Sequence, residues 1–334
     1  MSNRASALAD RVDPMDERVS VVLPTFNRAA SIGRAATSVL SQTHQHLELI
    51  VVDDGSTDET CQVVSSIRDD RIRLIRHSQN QGPSAARNTG IAAASFPLIA
   101  FQDSDDSWRP EKLARQVRAL CQAEPHVGVV FSQVAIHEGD GSTRVVPKRL
   151  PGGDREVTTR TLLWANTIGT PTAVVRRPVL DAVGGFDQEL KALEDWELWI
   201  RISQGFGFLM VGAPLVDVER SAISITTNEE LVTSARAYVI KKHEALFLAT
   251  RGGKDLLSRQ QRRVGTAYIG LGHVSLGRRF LRDSLGTRPS LLSASLVVVS
   301  WCGRHVFSRA APYVLRVDRW LSRIAKPLLR WRSR

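Results

Sequence analysis

Two acidic stretches hold the residues best suited to chemistry, Phe101-Gln102-Asp103-Ser104-Asp105-Asp106 and Leu193-Glu194-Asp195-Trp196-Glu197. Clustered carboxylates such as those of the first are hard oxygen ligands, and they suit Mg²⁺ or Mn²⁺ bridging a diphosphate. The second offers a carboxylate suited to act as a general base. In an extended strand Asp103 and Asp105 face the same side, whereas a turn at Ser104 lets one reach a ribose hydroxyl and the other a metal. A plainer role stays open, in which Asp106 or Ser107 caps the helix expected after Trp108-Arg109-Pro110.

Such groups act only if secondary structure brings them together. Residues 96–101 form an apolar run that reads as a short buried strand delivering the first acidic stretch to a sheet's carboxyl edge. Val19-Ser20-Val21-Val22-Leu23 reads as a strand halted by Pro24, followed by a helix over about residues 30–40. A second strand over 47–52 ends at Asp53-Asp54-Gly55-Ser56-Thr57-Asp58, where Ser56 or Thr57 can cap the next helix and Asp58 and Glu59 complement its dipole. Strands alternating with helices make a parallel βαβ unit, so their polar ends converge on one crevice.

The ordered segments Val21-Val22-Leu23-Pro24-Thr25-Phe26-Asn27, Val51-Val52-Asp53-Asp54-Gly55-Ser56-Thr57-Asp58, Asn80-Gln81-Gly82-Pro83-Ser84-Ala85-Ala86-Arg87-Asn88 and Gln102-Asp103-Ser104-Asp105-Asp106 resemble the family 2 glycosyltransferases. Gly184-Gly185-Phe186-Asp187, followed by Glu194-Asp195-Trp196, is similar to that family's acceptor-side signature. The resemblance spans about residues 18–220 and implies a GT-A fold, an α/β Rossmann-like domain with a mixed, mostly parallel sheet flanked by helices. It implies that Pro24, Thr25 and Phe26 line the nucleotide pocket, that Asp54 accepts a hydrogen bond from the base, and that Asp53 supports the ribose or the turn. It further implies that a loop from Asn80 to Asn88 closes on the diphosphate, with Gly82 and Arg87 beside it, and that Asp103 contacts the ribose. Asp105 becomes the metal ligand, Asp195 the catalytic base, and Glu194 and Trp196 acceptor-side residues. The reaction implied is inverting transfer of one sugar from a nucleotide donor, a UDP-sugar favoured, to a saccharide acceptor.

The residues by themselves leave other roles open. Phe26 can fill the core, Asp54 can form an Asx turn with Gly55, and Arg87 can pair with a carboxylate on a solvated helix. Glu194 and Asp195 can be the polar face of a helix over 194–203 that carries Trp196, Trp199 and Ile200 on its other side. A nucleotidyltransferase and a non-catalytic sugar-nucleotide-binding protein share the fold class, but no Gly-rich, Lys/Arg-containing triphosphate loop follows the first strand, and Asp105 and Asp195 are both in place.

Cys61, Cys121 and Cys302 are scattered and odd in number, which reads as free thiols in a reducing compartment. His44 and His46 read as a solvated loop without a third metal ligand. Residues 1–17 read as a flexible lead without the apolar core of a signal peptide. The formal charge of +11 is uneven: residues 251–334 hold 18 Lys+Arg against 3 Asp+Glu, leaving 27 against 31 in the rest. In that basic tail Arg309, Arg316, Arg323 and Arg330 recur every seven residues, with Val306, Tyr313 and Trp320 on another stripe. A helix so patterned separates an arginine face from an apolar one and suits an anionic membrane surface, while Pro312 and Pro327 break it into shorter pieces. Docking of that stripe on its own domain is one alternative; a coiled-coil seam is opposed by the like charges a homodimer would bring together and by the prolines, and no nucleic-acid-binding module accompanies the charge.

The run 291–302 is too short for the ~20 residues that span a bilayer, so peripheral attachment to the inner face of the plasma membrane is expected. Between catalytic part and tail, Gly265, Gly270, Gly272 and Gly277 are expected to interrupt helices. Gln260-Gln261-Arg262-Arg263-Val264 resembles the Gln-x-x-Arg-Trp box of processive members of the family, but Val264 stands in place of Trp and the long membrane spans are missing. The expected organisation is a lead over 1–17, a catalytic domain over 18–225, a helical extension over 226–290 and a membrane-associating tail over 291–334.

Overall fold

Apolar runs without polar alternation, such as 49–52, need cover on both faces of the strands they form. The structure, a computed structural model, describes residues 17–148, 157–219, 228–301, 306–307 and 309–311. Contacts divide the chain into two units, Met1–Ala222 and Ile223–Arg334. The first unit begins with β1 (Val19–Thr25), α1 (Ala29–Leu40), β2 (Leu47–Asp53), α2 (Thr60–Ser66), β3 (Ile72–Arg76), α3 (Pro83–Ala93) and β4 (Leu98–Phe101). These four strands are mutually parallel in the order β3-β2-β1-β4. Every residue of β1 is buried, and α3 lies so close to it that a Cβ at Gly90 would overlap Val22.

The chain continues through β5 (Ser107–Trp108), α4 (Lys112–Gln122), β6 (Val127–His137), β7 (Thr143–Val146), α5 (Thr159–Trp164), β8 (Ala173–Arg176), α6 (Arg177–Val183), α7 (Glu194–Ile202) and β9 (Gly207–Glu219). Among the described residues nine strands form one sheet, ordered β3-β2-β1-β4-β8-β6-β9-β5 with β7 on β6. Antiparallel β8 next to β4 makes the sheet mixed, the GT-A arrangement expected from the sequence. The core lies where Ile32, Ala35, Ala36 and Val39 of α1 and Leu113, Val117 and Leu120 of α4 cover the sheet. Burying each such Val, Leu or Ile contributes about 1.5–3 kcal/mol.

Two expectations shift for local reasons. Pro24 does not halt β1, which runs on to Thr25 opposite Asp53; β4 pairs only with Val19–Val22, so Pro24 needs to donate nothing on that side. Residues 83–88 are helical rather than loop, because Gly82 at φ 95° turns the chain and Pro83 opens α3, where its missing N–H costs nothing.

The second unit contains α8 (Glu229–Lys242), α9 (Glu244–Ala249), α10 (Gly253–Leu271), α11 (Val274–Thr287) and α12 (Leu291–Ser300). Asn228 and Ser290 cap α8 and α12 by accepting the N–H groups of Leu231 and Ser293. The glycines expected as interruptions act otherwise. Gly265 and Gly270 lie within a continuous α10, and Gly272 ends it in a left-handed conformation. Gly265 and Gly277 let α10 and α11 meet backbone to backbone: a Cβ on either would sit 2.9 or 2.7 Å from the other's carbonyl oxygen. Of the basic tail, α12 packs Leu292 and Leu296 against Ile269, Leu281, Phe307 and Ala311. The heptad positions from Tyr313 onward lie outside the described residues.

Candidate active site

The carboxyl ends of β1, β2 and β4 place Thr25, Asp53, Asp54 and Asp103 at one edge of the sheet. Asp53 is fully buried. Its carboxylate takes the Ser56 amide at 3.3 Å, the Cys61 thiol at 3.0 Å and the Arg76 guanidinium at 3.2 Å, so it holds the turn together. Burial and that carboxylate push the Cys61 thiol up to about 11, which leaves it a poor nucleophile at neutral pH. Gly55, at φ 79°, is where the 79–80 backbone comes in closest, within 2.7 Å of where a Cβ would be.

Asp54 is also buried, and its carboxylate accepts the amides of Gln81 (3.0 Å) and Gly82 (2.7 Å) and contacts His77 Nδ1 at 2.7 Å. Here it latches the 77–82 loop, with His77 held from behind by Thr89. The sequence points to Ser56 or Thr57 as the cap of α2, but neither caps it; Asp58 accepts the Thr60 amide there at 3.0 Å, and Ser56 and Asp58 accept the N–H groups of Asn27 (2.9 Å) and Ala29 (3.1 Å) at the start of α1. Pro24 and Thr25 are buried, whereas Phe26 is 39% exposed. A ring so exposed does not fill the core.

Asp103, Asp105 and Asp106 form the acidic cluster after β4. Asp105 is the most open, its side chain 43% exposed with Arg28 Nη2 at 3.8 Å, while Arg34 donates to its carbonyl oxygen at 2.8 Å. Burial, then Asp103, raises the proton affinity of Asp105; burial, then Asp103 and Asp105, raises that of Asp106 further. Carboxylates that resist ionising beside one another are relieved by a cation. Among the described residues no group of three or more His, Cys, Asp or Glu side chains is placed to hold a metal ion. Oxygen-only carboxylates such as these are the ligand type that hard divalent cations prefer.

Arg87 joins this cluster to the second acidic stretch. Its guanidinium is buried, with Nη2 on Asp103 at 2.8 Å and Nη1 on Glu194 at 2.5 Å, and it lies over the Phe186 ring. Burial opposes its charge, and the two carboxylates more than offset that. The helix bearing it is thus not a solvated face, and both its partners are motif carboxylates. Next to it Asn88 clasps both backbone groups of Phe186, donating to its carbonyl and accepting its amide at 2.8 Å each. Two motifs a hundred residues apart are fastened by neighbouring side chains.

Asp195 lies in the first turn of α7, which is reached through Leu193 in a left-handed conformation (φ 58°), strained for a bulky residue. Its Oδ1 accepts the Trp196 amide at 2.6 Å and its Oδ2 the Asn166 side-chain amide at 2.9 Å. Burial, then the neighbouring Glu194, pushes its carboxyl up to about 7, against the pull of Asn166, the Trp196 amide and Arg87. That is the range of a general base at neutral pH. Trp196 is fully buried, its indole N–H bonded to Leu162 O at 2.6 Å. It anchors the helix, and Glu194 is occupied by Arg87.

Sequence reading missed Asn166, His77 and the buried Glu197–Arg201 pair (2.7 Å), whose arginine also grips Gly185 O at 2.6 Å. Only the last had a signal, the i,i+4 spacing of opposite charges. His44, expected in a solvated loop, is fully buried with Nε2 2.8 Å from Glu17 O, while His46 is exposed.

The Glycosyl transferase family 2 profile matches residues 20–184. Over 187 residues the chain is 32% identical to the UDP-Glc:alpha-D-GlcNAc-diphosphoundecaprenol beta-1,3-glucosyltransferase WfgD of Escherichia coli, covering 56% of this chain and 70% of that one. Uncharacterized glycosyltransferases of Nostoc and Haemophilus influenzae match over 56% and 62% of their own length. The fold superposes on residues 1–349 of S. aureus TarS in complex with UDP-GlcNAc with a TM-score of 0.67 at 19% identity, covering 91% of this chain and 92% of that one. A mannosyltransferase of Pyrobaculum calidifontis in complex with GDP-Man and Mn2+ superposes at 0.53 with 21% identity, covering 91% and 86%. With its ordered motifs gathered at one sheet edge, the chain belongs to the family 2 glycosyltransferases.

Proposed function

We propose that the protein is an inverting glycosyltransferase that moves one sugar from a nucleotide-sugar, UDP-sugars foremost, to a saccharide hydroxyl. The observation that carries this reading is Asp195, held in place by two donors with a proton affinity near neutrality and tied through Glu194 and Arg87 to the acidic cluster. Asp195 takes the acceptor hydroxyl's proton as that oxygen attacks the anomeric carbon, and a single displacement inverts the centre without a covalent enzyme intermediate. Phe26 offers a face to the base and Asp54 an acceptor for its N–H, once the 77–82 loop yields part of its hold. Asp105, with Asp103 and Asp106 beside it, would hold Mg²⁺ or Mn²⁺. When bound, the ion neutralises charge developing on the departing nucleoside diphosphate.

The relative that acts on a diphosphoundecaprenol-linked sugar supports a lipid-linked saccharide acceptor of an envelope polysaccharide. The outer face of α12 supports attachment at an anionic membrane surface: Leu291, Val298 and Trp301 are 88, 66 and 67% exposed, and Arg278 lies over Trp301. Among the described residues no helix is long and apolar enough to cross a membrane.

Calorimetric titration of UDP, GDP and other nucleoside diphosphates, with and without Mn²⁺, tests the site. Metal-dependent binding of one nucleotide, weakened at least tenfold by Asp105→Ala, is expected. Binding indifferent to both metal and substitution would remove the metal role, and no binding at all would remove the donor site.

A further inference from the structure

The environment of Asp195 is built by a segment to which no motif points. Residues 158–168 run from the capping box of α5, where Thr158 and Thr161 satisfy each other, to Ile168. Two indole N–H groups of α7 grip this segment on either side of Asn166: Trp196 Nε1 on Leu162 O at 2.6 Å and Trp199 Nε1 on Ile168 O at 3.0 Å. Both tryptophans are fully buried, so the segment and the helix are one packed piece. Asn166 itself is oriented at both ends of its amide: Oδ1 accepts the Ile168 amide at 3.2 Å, which commits Nδ2 to donate, and Nδ2 meets Asp195 Oδ2 at 2.9 Å.

We propose that Asn166 is the positioning residue of the catalytic base, fixing the Asp195 carboxylate in one orientation and favouring its ionised form. The inference rests on the reading of Asp195 as the base. An amide that can only donate at this position stabilises a carboxylate over a carboxylic acid. It opposes Glu194, whose negative charge acts from the same helix, while Arg87 of α3 and its partner Asp103 form the charged pair beyond. The Trp196 amide holds Oδ1, so one donor on each oxygen prevents the carboxylate from rotating and leaves a lone pair on each for the acceptor hydroxyl.

The test reads the base directly and needs no acceptor. In the full chain labelled with ¹³C at aspartate carboxyls, the resonance absent from Asp195→Asn reports Asp195, and its midpoint is followed by pH titration. In Asn166→Ala the midpoint is expected to rise by about one to two units, the worth of one hydrogen bond to a charged group. UDP affinity in the presence of Mn²⁺ should stay unchanged. Asn166→Ser, which keeps a donor, should fall between and covers the case in which the alanine variant does not fold. An unchanged midpoint in a folded variant overturns the proposal, and so does a loss of nucleotide affinity equal to any loss of activity. Failure of the underlying reading looks different: release of UDP from UDP-glucose or UDP-GlcNAc in the presence of saccharide acceptors would then survive Asp195→Asn.

Discussion

Asp195 ties function and stability to pH with opposite signs. As a base it works when ionised, so the rate should rise with pH through about 7 and level off above. For stability, the folded state keeps a proton that the unfolded chain releases near the ordinary aspartate value, so stability contributed at this site falls as pH rises from about 4 to 7. Asp195→Asn is therefore expected to lower turnover by about 10²–10⁴-fold. The same variant should gain melting temperature relative to the parent as pH goes from 5 to 8. Parallel pH–rate and thermal-unfolding series check both, and a variant whose relative stability is flat with pH would show that the native carboxyl is not perturbed.

At the scale of elements, α4 carries an unusual burden. Lys112, in its first turn, is fully buried, its Nζ has no hydrogen-bond partner, and it lies 3.8 Å from the centroid of the Trp108 ring. Stacking on an indole favours the charged amine, but burial outweighs it and lowers the proton affinity well below the lysine norm. The unfolded chain then binds a proton the native state lacks, so parent stability should climb as pH rises toward the usual lysine value. Lys112→Met should stabilise the protein by about 1–3 kcal/mol at pH 7, with the advantage shrinking by pH 10, as read by denaturant titration. In the second unit the backbone contact of α10 and α11 leaves no room for a side chain. Gly265→Leu is expected to cost about 1–3 kcal/mol or more, seen as earlier proteolysis within residues 229–300 while nucleotide binding persists.

The molecule as a whole separates charge from chemistry: residues 251–334 hold a net +15 and the rest −4. With exposed apolar side chains on α12, this predicts that the full chain sediments with vesicles containing anionic phospholipid and not with neutral ones. Binding should weaken as salt rises past 0.15 M, where screening acts within about 8 Å. Leu291→Ser combined with Trp301→Ala should reduce it several-fold. Equal binding to neutral vesicles, or none to either kind, would detach the basic segment from any membrane role.

Sequence by itself determined the strands over 19–23, 47–52 and 96–101 and the helix over 30–40, because buried parallel strands and amphipathic helices each have their own period, whereas β3 and α3 emerged only with the structure. The carboxylates of 103–106 and 194–197 also stood out from residue type alone, whereas the role expected of Asp54 came from the family resemblance. What only the tertiary structure decided were the partners. Arg87 could have been a solvated residue or a phosphate contact until the fold placed it between Asp103 and Glu194, 16 and 107 positions away. Asn166 lay in a stretch without pattern, and Asp54 gained its loop amides from a turn whose path depends on Gly55 and Gly82. Gly265 and Gly277 looked like breaks until two helices met at them. Local periodicity is written residue by residue, whereas hydrogen-bond partners and proton affinities arise from burial and from charges brought close by folding, and these have no local signature.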